Sequence, residues 1–256
     1  MDSWMIGAPA AIAAGVAGLT AYGAAYPRAQ LFGPTVCRTN WPNKLAITFD
    51  DGPNPAITPK LLDLLNKHNA RATFFLVGKF VRECPALTKE ILARGHALGN
   101  HTDTHPNLFL CGRGQTEEEL RSCVGAIHEA AGIEPRWFRP PFGFRSPWLH
   151  EIVKRQGMQT AMWTLIPGDW RAKPAEWLIQ RMNPIAEHAR KKLPPGTGYG
   201  GGQTGDILCL HDGYHRQQNG DRARTVTALE YWLPRWSDLG LEFVTMDETV
   251  SKTVEA

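Results

Sequence analysis

From about residue 45 to 245, short apolar β-like runs alternate with helix-like runs, and no internal repeat or inserted domain interrupts them. Strands separated by helix-length crossovers pair in parallel, so the pattern predicts an α/β domain, either a barrel or an open sheet. The expected strands are Leu45 to Phe49, Ala72 to Val77, His96 to Gly99, Trp137-Phe138, Thr160 to Thr164, Ile207 to Leu210 and Phe243 to Thr245. Between them, Thr58-Pro59 reads as a capping hydroxyl with proline at the first helical position, ahead of Leu61, Leu62, Leu64 and Leu65. A further helix is expected from Ala86 to Arg94. Thr116 and Glu119 read as a capping box opening a helix to Ala131, and Ser146-Pro147 opens another that closes at Gly157. About seven βα units result, and in parallel barrels the active groups gather at the C-terminal ends of the strands.

Residues 1–26 stand apart from this pattern. From Trp4 to Tyr26 the chain carries no charge and consists mainly of Ala and Gly, interrupted by Pro9. A membrane span, an uncleaved signal anchor, a cleaved signal peptide and a helix packed on the domain are all compatible with such a segment. Arg28, Arg38 and Lys44 follow it and only Asp2 precedes it, which for a spanning helix favours a cytoplasmic C-terminal side. Residues 27–43 read as a Pro- and Gly-containing linker, and the folded domain as 44–256. Lys and Arg number 28 against 25 Asp and Glu, without a basic run, so nothing points to electrostatic capture of nucleic acid. The five cysteines contain no C-x-x-C pair, which disfavours zinc ribbons and thioredoxin-like chemistry. Cys111 and Cys123 are close enough in sequence to pair in an exported domain.

Polar clusters follow five of the expected strands. Asp50-Asp51-Gly52-Pro53 ends the first. Adjacent carboxylates repel, so holding both ionised calls for a cation or a basic partner, although the same residues also make an ordinary turn. His101-Thr-Asp-Thr-His105 places two imidazoles four residues apart, able to face one ion if the segment is a helical turn. With a carboxylate they complete the His₂Asp set of an open catalytic metal site. Arg139-Pro-Pro-Phe142-Gly143 fixes the backbone where an Arg can clamp a carboxylate in bidentate fashion. Gly168-Asp169-Trp170 and Leu210-His211-Asp212 follow later strands. Each cluster alone has a bland structural explanation, but a barrel brings all five together.

In order, Thr48-Phe-Asp-Asp-Gly-Pro53, His101 to His105, Arg139-Pro-Pro-Phe142, Asp169-Trp170 and Leu210-His-Asp212 resemble the motif series of the polysaccharide deacetylase family, also called the NodB-homology or carbohydrate esterase 4 family. The resemblance covers residues 44 to 250. It implies a distorted (β/α)₇ TIM-like barrel, here preceded by an N-terminal apolar helix, and metal-dependent removal of acyl groups from glycans. Phe142 stands where Tyr is frequent, and Cys209 lies within the strand before His211.

Carried over residue by residue, the resemblance makes Asp51, His101 and His105 metal ligands, with Zn²⁺ the expected ion and Co²⁺ or another divalent cation the alternatives. Asp50 becomes the general base, paired with Arg139. The Phe142 N–H meets the oxyanion, His211 is the general acid supported by Asp169, and Trp170 with Leu210 forms the acyl pocket. The implied substrate is an N-acetylated glycan of peptidoglycan or chitin type, handled at the membrane or outside it. The alternatives are a deformylase or amidohydrolase acting on a lipid-linked sugar or another amide, and a silent glycan-binding module. His68, His96, His128, His150, His188 and His215 are expected to be surface or core residues. The Gly-rich stretch Pro195 to Gly205 lacks a phosphate-loop ending and is expected to be a loop beside the active face.

Overall fold

The computed structural model describes residues 4–192 and 204–249. Strand β1 (Arg38–Thr39) is followed by β2 (Lys44–Gly52), β3 (Ala72–Leu76), β4 (Ala97–Asn100), β5 (Trp137–Phe138), β6 (Gln159–Thr160), β7 (Gly205–His211) and β8 (Glu242–Phe243). They form one sheet in the order β1-β7-β2-β3-β4-β5-β6, with β8 pairing β2, and every pairing except β1 with β7 is parallel. The gap between β6 and β7 is closed irregularly. Val36 bridges to Ala161, and Leu165 bridges to Leu208. The result is a curled, distorted barrel. Residues 36–39, expected as linker, take part in this closure rather than merely leading into the domain.

Side chains alternate along the strands, as the two-residue period requires. On β2, Leu45, Ile47 and Phe49 turn outward and pack with Phe74 and Leu76 of β3 and Leu208 and Leu210 of β7. Helix α2 (Thr58–Lys67) covers them with Leu61, Leu62 and Leu65, all fully buried. Each such Leu contributes about 1.5–3 kcal/mol by leaving water. Ala46, Phe75, Trp137, Ala161 and Ile207 form a separate inner cluster. Thr48 and Asp50, two and four residues beyond Ala46 on the same strand face, continue that inner line towards the C-terminal end.

The helices are α3 (Gly78–Glu83), α4 (Pro85–Ala93), α5 (Arg113–Ala131), α6 (Leu149–Arg155), α7 (Ala175–Lys192) and α8 (Ala223–Asp238). Each expected strand has a counterpart, with β6 and β8 reduced to two residues, but none of the three expected helix starts holds: α6 begins at Leu149 rather than at Ser146-Pro147, and the capping side chains of the other two find different partners. Residue 57, not Thr58, precedes α2, and the Thr58 hydroxyl instead donates to Asp212. Helix α5 starts three residues ahead of Thr116, and Glu119 reaches out of the helix to accept from the backbone N–H groups of Asp103 and Thr104. In both cases a tertiary partner wins the side chain from the local helix end. Residues 195–203 of the Gly-rich stretch lie outside the described residues.

Helix α1 (Trp4–Ala25) projects from the barrel. Residues 11–19 are exposed, including Ile12, Val16 and Leu19, whereas Gly23 and Ala24 are buried against the domain. The attachment is Arg145, almost completely buried. Its backbone N–H donates to the Ala24 carbonyl, and its guanidinium donates to the carbonyls of Ala29 (2.7 Å) and Tyr26 (2.6 Å). Among the described residues, no helix is long and apolar enough to cross a membrane.

Candidate active site

Asp50 and Asp51 share the end of β2 but face different partners. A register shift between Asp50 and Gly52 separates them, and Asp51 adopts φ 73°, a left-handed conformation rare for a non-glycine residue. Gly213 makes this turn fit. A Cβ at Gly213 would lie 2.0 Å from the Asp51 carbonyl oxygen, so only glycine lets the end of β7 approach so closely.

Asp50 points at Arg139. The guanidinium, fully buried, donates from Nη1 to Asp50 Oδ1 at 2.7 Å and from the same nitrogen to the Thr48 hydroxyl at 2.7 Å. Nε and Nη2 donate to the carbonyls of Ala161 and Met162, and the group lies 4.1 Å over the Phe75 ring. The expected bidentate clamp is therefore a single-point one, because the rest of the fork is used to fix Arg139 to the barrel wall. Asp50 Oδ2 accepts from the Cys209 thiol at 3.3 Å.

Asp51 faces the two histidines. Its Oδ1 lies 3.5 Å from His101 Nε2 and 3.2 Å from His105 Nε2, with all three side chains buried. The His101-to-His105 segment is not the helical turn considered from spacing. It is an irregular bend in which Thr102 (φ 67°) and His105 (φ 63°) are left-handed. Neighbours hold it there: Thr102 N–H donates to Asn100 Oδ1, His105 N–H donates to the Thr102 hydroxyl, and Glu119 anchors residues 103 and 104.

The donor set suits a divalent cation. His101 Nδ1 lies 2.8 Å from the Arg139 carbonyl, which can only accept, so Nδ1 carries the proton and Nε2 turns a lone pair towards Asp51. Two acceptors then face each other, an arrangement that a cation between them relieves. Asp51 Oδ1 and His105 Nδ1 are both buried without a hydrogen-bond partner. Burial lowers His105 to about 4, so its ring is neutral, the form that binds metal.

On the opposite side, Asp169 Oδ1 meets His211 Nδ1 at 2.8 Å, and Oδ2 accepts from the His211 backbone N–H at 2.7 Å and from the Thr225 hydroxyl at 3.0 Å. Burial alone disfavours an imidazolium here. The charge and hydrogen bond of Asp169, helped by Asp51 and Asp50, outweigh it and lift His211 to about 9. Asp212 next to it is a different case: burial raises its carboxyl to about 7, against the Thr58 hydrogen bond.

These groups border one cavity of about 570 Å³, lined among others by Asp50, Asp51, His101, His105, His211, Phe142, Trp163 and Trp170. Phe142 is left-handed (φ 57°) and the residue is 54% exposed, so it covers the rim rather than the core. Leu210 does not join them. It is fully buried on the outer face of β7 with Leu208, because strand alternation turns Cys209 and His211 inward and Leu210 outward. Trp163 lines the cavity in addition to Trp170. His215, expected to be a background histidine, also lines it, with its ring stacked 4.2 Å from that of His105. The only sequence signal for it was its place four residues after His211, beyond Gly213. Cys111 and Cys123 are both free thiols.

A family model described as polysaccharide deacetylase matches residues 38–161. The chain is 36% identical over 207 residues to a peptidoglycan-N-acetylglucosamine deacetylase of Bacillus cereus, covering 80% of this chain and 86% of that one. It is 35% identical over 199 residues to a chitooligosaccharide deacetylase of Azorhizobium caulinodans, covering 75% and 87%. A solved peptidoglycan N-acetylglucosamine deacetylase superposes with a TM-score of 0.70 at 27% identity, over 84% of this chain and 92% of the other. A carbohydrate esterase 4 pseudoenzyme from Bacillus anthracis also reaches 0.70, at 25% identity over 85% and 69%. Fold alone therefore does not separate active from silent relatives, and the side chains at the site have to.

Proposed function

The chain belongs to the polysaccharide deacetylase family, and from that premise we propose that it is a metal-dependent hydrolase removing N-acetyl groups from N-acetylglucosamine-containing glycans, peptidoglycan or chitooligosaccharide. The observation that carries this reading is the buried Asp51, His101 and His105 cluster, whose ligand atoms all lie within 4.8 Å of one another. It stands beside a separately held carboxylate and a proton-bearing imidazole. A glycan-binding module has no use for such an arrangement.

Asp51, His101 and His105 would hold the ion, and two imidazoles with one carboxylate suit Zn²⁺. When bound, a divalent cation acidifies water and polarises an acyl carbonyl. Asp50 is the base. Arg139 fixes its Oδ1, leaving Oδ2, met by the weak thiol donor of Cys209, to take the proton of the attacking water. The Phe142 N–H stabilises the oxyanion. His211, its Nδ1 occupied by Asp169, delivers its proton from Nε2 to the departing amine. Trp170, standing edge to face with His211 at 5.1 Å, and Trp163 bound the space for the acyl methyl.

A polymeric wall-type substrate argues for a domain at the cell envelope. The charge-free α1, with Ile12, Val16, Leu19 and Tyr22 exposed, supplies apolar surface for association with a membrane. The test of activity is acetate or amine release from acetylated chitooligosaccharides and peptidoglycan fragments, with chelator and after Zn²⁺ is restored. Release that chelator abolishes and Zn²⁺ restores supports the reading. Absence of release from both substrates by metal-loaded protein rejects it.

A further inference from the structure

The family motifs leave His215 without a role, yet it approaches two of the three residues of the metal cluster, His105 and Asp51. It sits in the connection from β7 to α8. Asn54 pins that connection at both ends, donating to the Asp212 carbonyl at 2.8 Å and the Gly220 carbonyl at 2.9 Å. Lys79 pins the middle, donating to the His215 carbonyl at 2.7 Å. Thus the imidazole is held in place independently of the ligands it approaches. Its ring stacks on His105 at 4.2 Å with the planes 15° apart, and stands edge-on to Phe142 at 5.5 Å. Its Nδ1 lies 3.7 Å from Asp51 Oδ2.

Metal ligands need their orientation fixed by partners of their own. His101 has such a partner in the Arg139 carbonyl. His105 has none at Nδ1, and Asp51 turns Oδ1 to the two histidines, so its carboxylate plane depends on what meets Oδ2. His215 answers both needs: a flat surface that limits rotation of the His105 ring, and an imidazole nitrogen that faces Asp51 Oδ2 at 3.7 Å, longer than a direct hydrogen bond. We infer that His215 is a positioning residue of the metal centre, holding His105 and Asp51 in ligand geometry without itself being one of the three ligands. This inference rests on the reading of Asp51, His101 and His105 as ligands.

The test is zinc affinity of the full chain, measured by competition with a chromogenic chelator, for wild type, His215→Ala and His215→Phe. Loss of a partner that orients a ligand typically weakens metal binding about 10–100-fold, which is the effect expected for His215→Ala. His215→Phe keeps a ring to stack but no nitrogen facing Asp51, and is expected to fall between Ala and wild type. Thermal unfolding of the metal-free proteins should coincide, which a merely structural role would not give. Affinities of both variants within about twofold of wild type, well short of the expected loss, overturn the inference. A wild-type chain that takes up no zinc overturns the metal-site reading itself, a result distinguishable from the first because it needs no variant.

Discussion

Asp169 holds His211 at two points, one carboxylate oxygen at Nδ1 (2.8 Å) and the other on the backbone N–H (2.7 Å). The imidazole is thereby fixed in position and in proton affinity, with Nε2 left as the atom that can release a proton.

Asp169→Asn tests this. With His211 at about 9, the acid stays protonated through neutral pH, and activity should decline as pH rises through that value. The amide removes the chief raising partner, so the alkaline limb of kcat/KM should move down by about 1–3 pH units. Stability carries the same sign. The folded state keeps a proton that the unfolded chain releases above 6.5, so stability from this pair is full below 6.5 and lost as pH rises towards 9. Urea unfolding at both ends of that window should show the decline in wild type and little of it in the variant.

Asp50→Asn leaves the Asp51 cluster untouched and still offers Arg139 an acceptor. Zinc content should stay stoichiometric while kcat falls about 10²–10⁴-fold, the usual contribution of a general base. Near-normal turnover would remove Asp50 from the mechanism.

Arg139 is fully buried and serves Asp50, Thr48 and two carbonyls at once. Arg139→Ala strands a buried carboxylate, and such a break costs about 3–5 kcal/mol. Arg139→Lys retains the charge but not the fork, and should recover part of the stability and little of the activity. Denaturant unfolding together with steady-state rates separates the two effects.

The attachment of α1 sets where the chain can be shortened. Cutting after residue 26 removes the Ala24 and Tyr26 carbonyls from Arg145 and leaves part of a buried guanidinium unmatched. A form beginning at residue 20 keeps both acceptors. It should match the full chain in thermal midpoint, whereas the shorter form should be less stable by about 1–3 kcal/mol. Equal midpoints would show that Arg145 is not held by these carbonyls.

How much was legible in the sequence follows from how local each signal is. The strands were, because apolar runs and their polar ends lie in one stretch of chain. Local capping patterns misled at Thr58 and Glu119: the hydroxyl of one is taken by Asp212 and the carboxylate of the other by residues 103 and 104. The family resemblance makes Leu210 a pocket residue, but the alternation of β7 turns it to the outer core.

The sequence by itself determined which side chains reach the strand ends, since Asp50, Asp51, His101, Arg139 and His211 each end or directly follow a β run, whereas Asp169 lies four residues beyond the isolated Leu165 bridge. Tertiary structure alone decided what each one faces. Cys209 meets Asp50 across a sequence separation of 159 residues, and Asn54 fastens the loop that carries His215 across 166. Such contacts depend on barrel curvature and on where the ring closes, quantities set by the packing of all the strands together and encoded in no single segment.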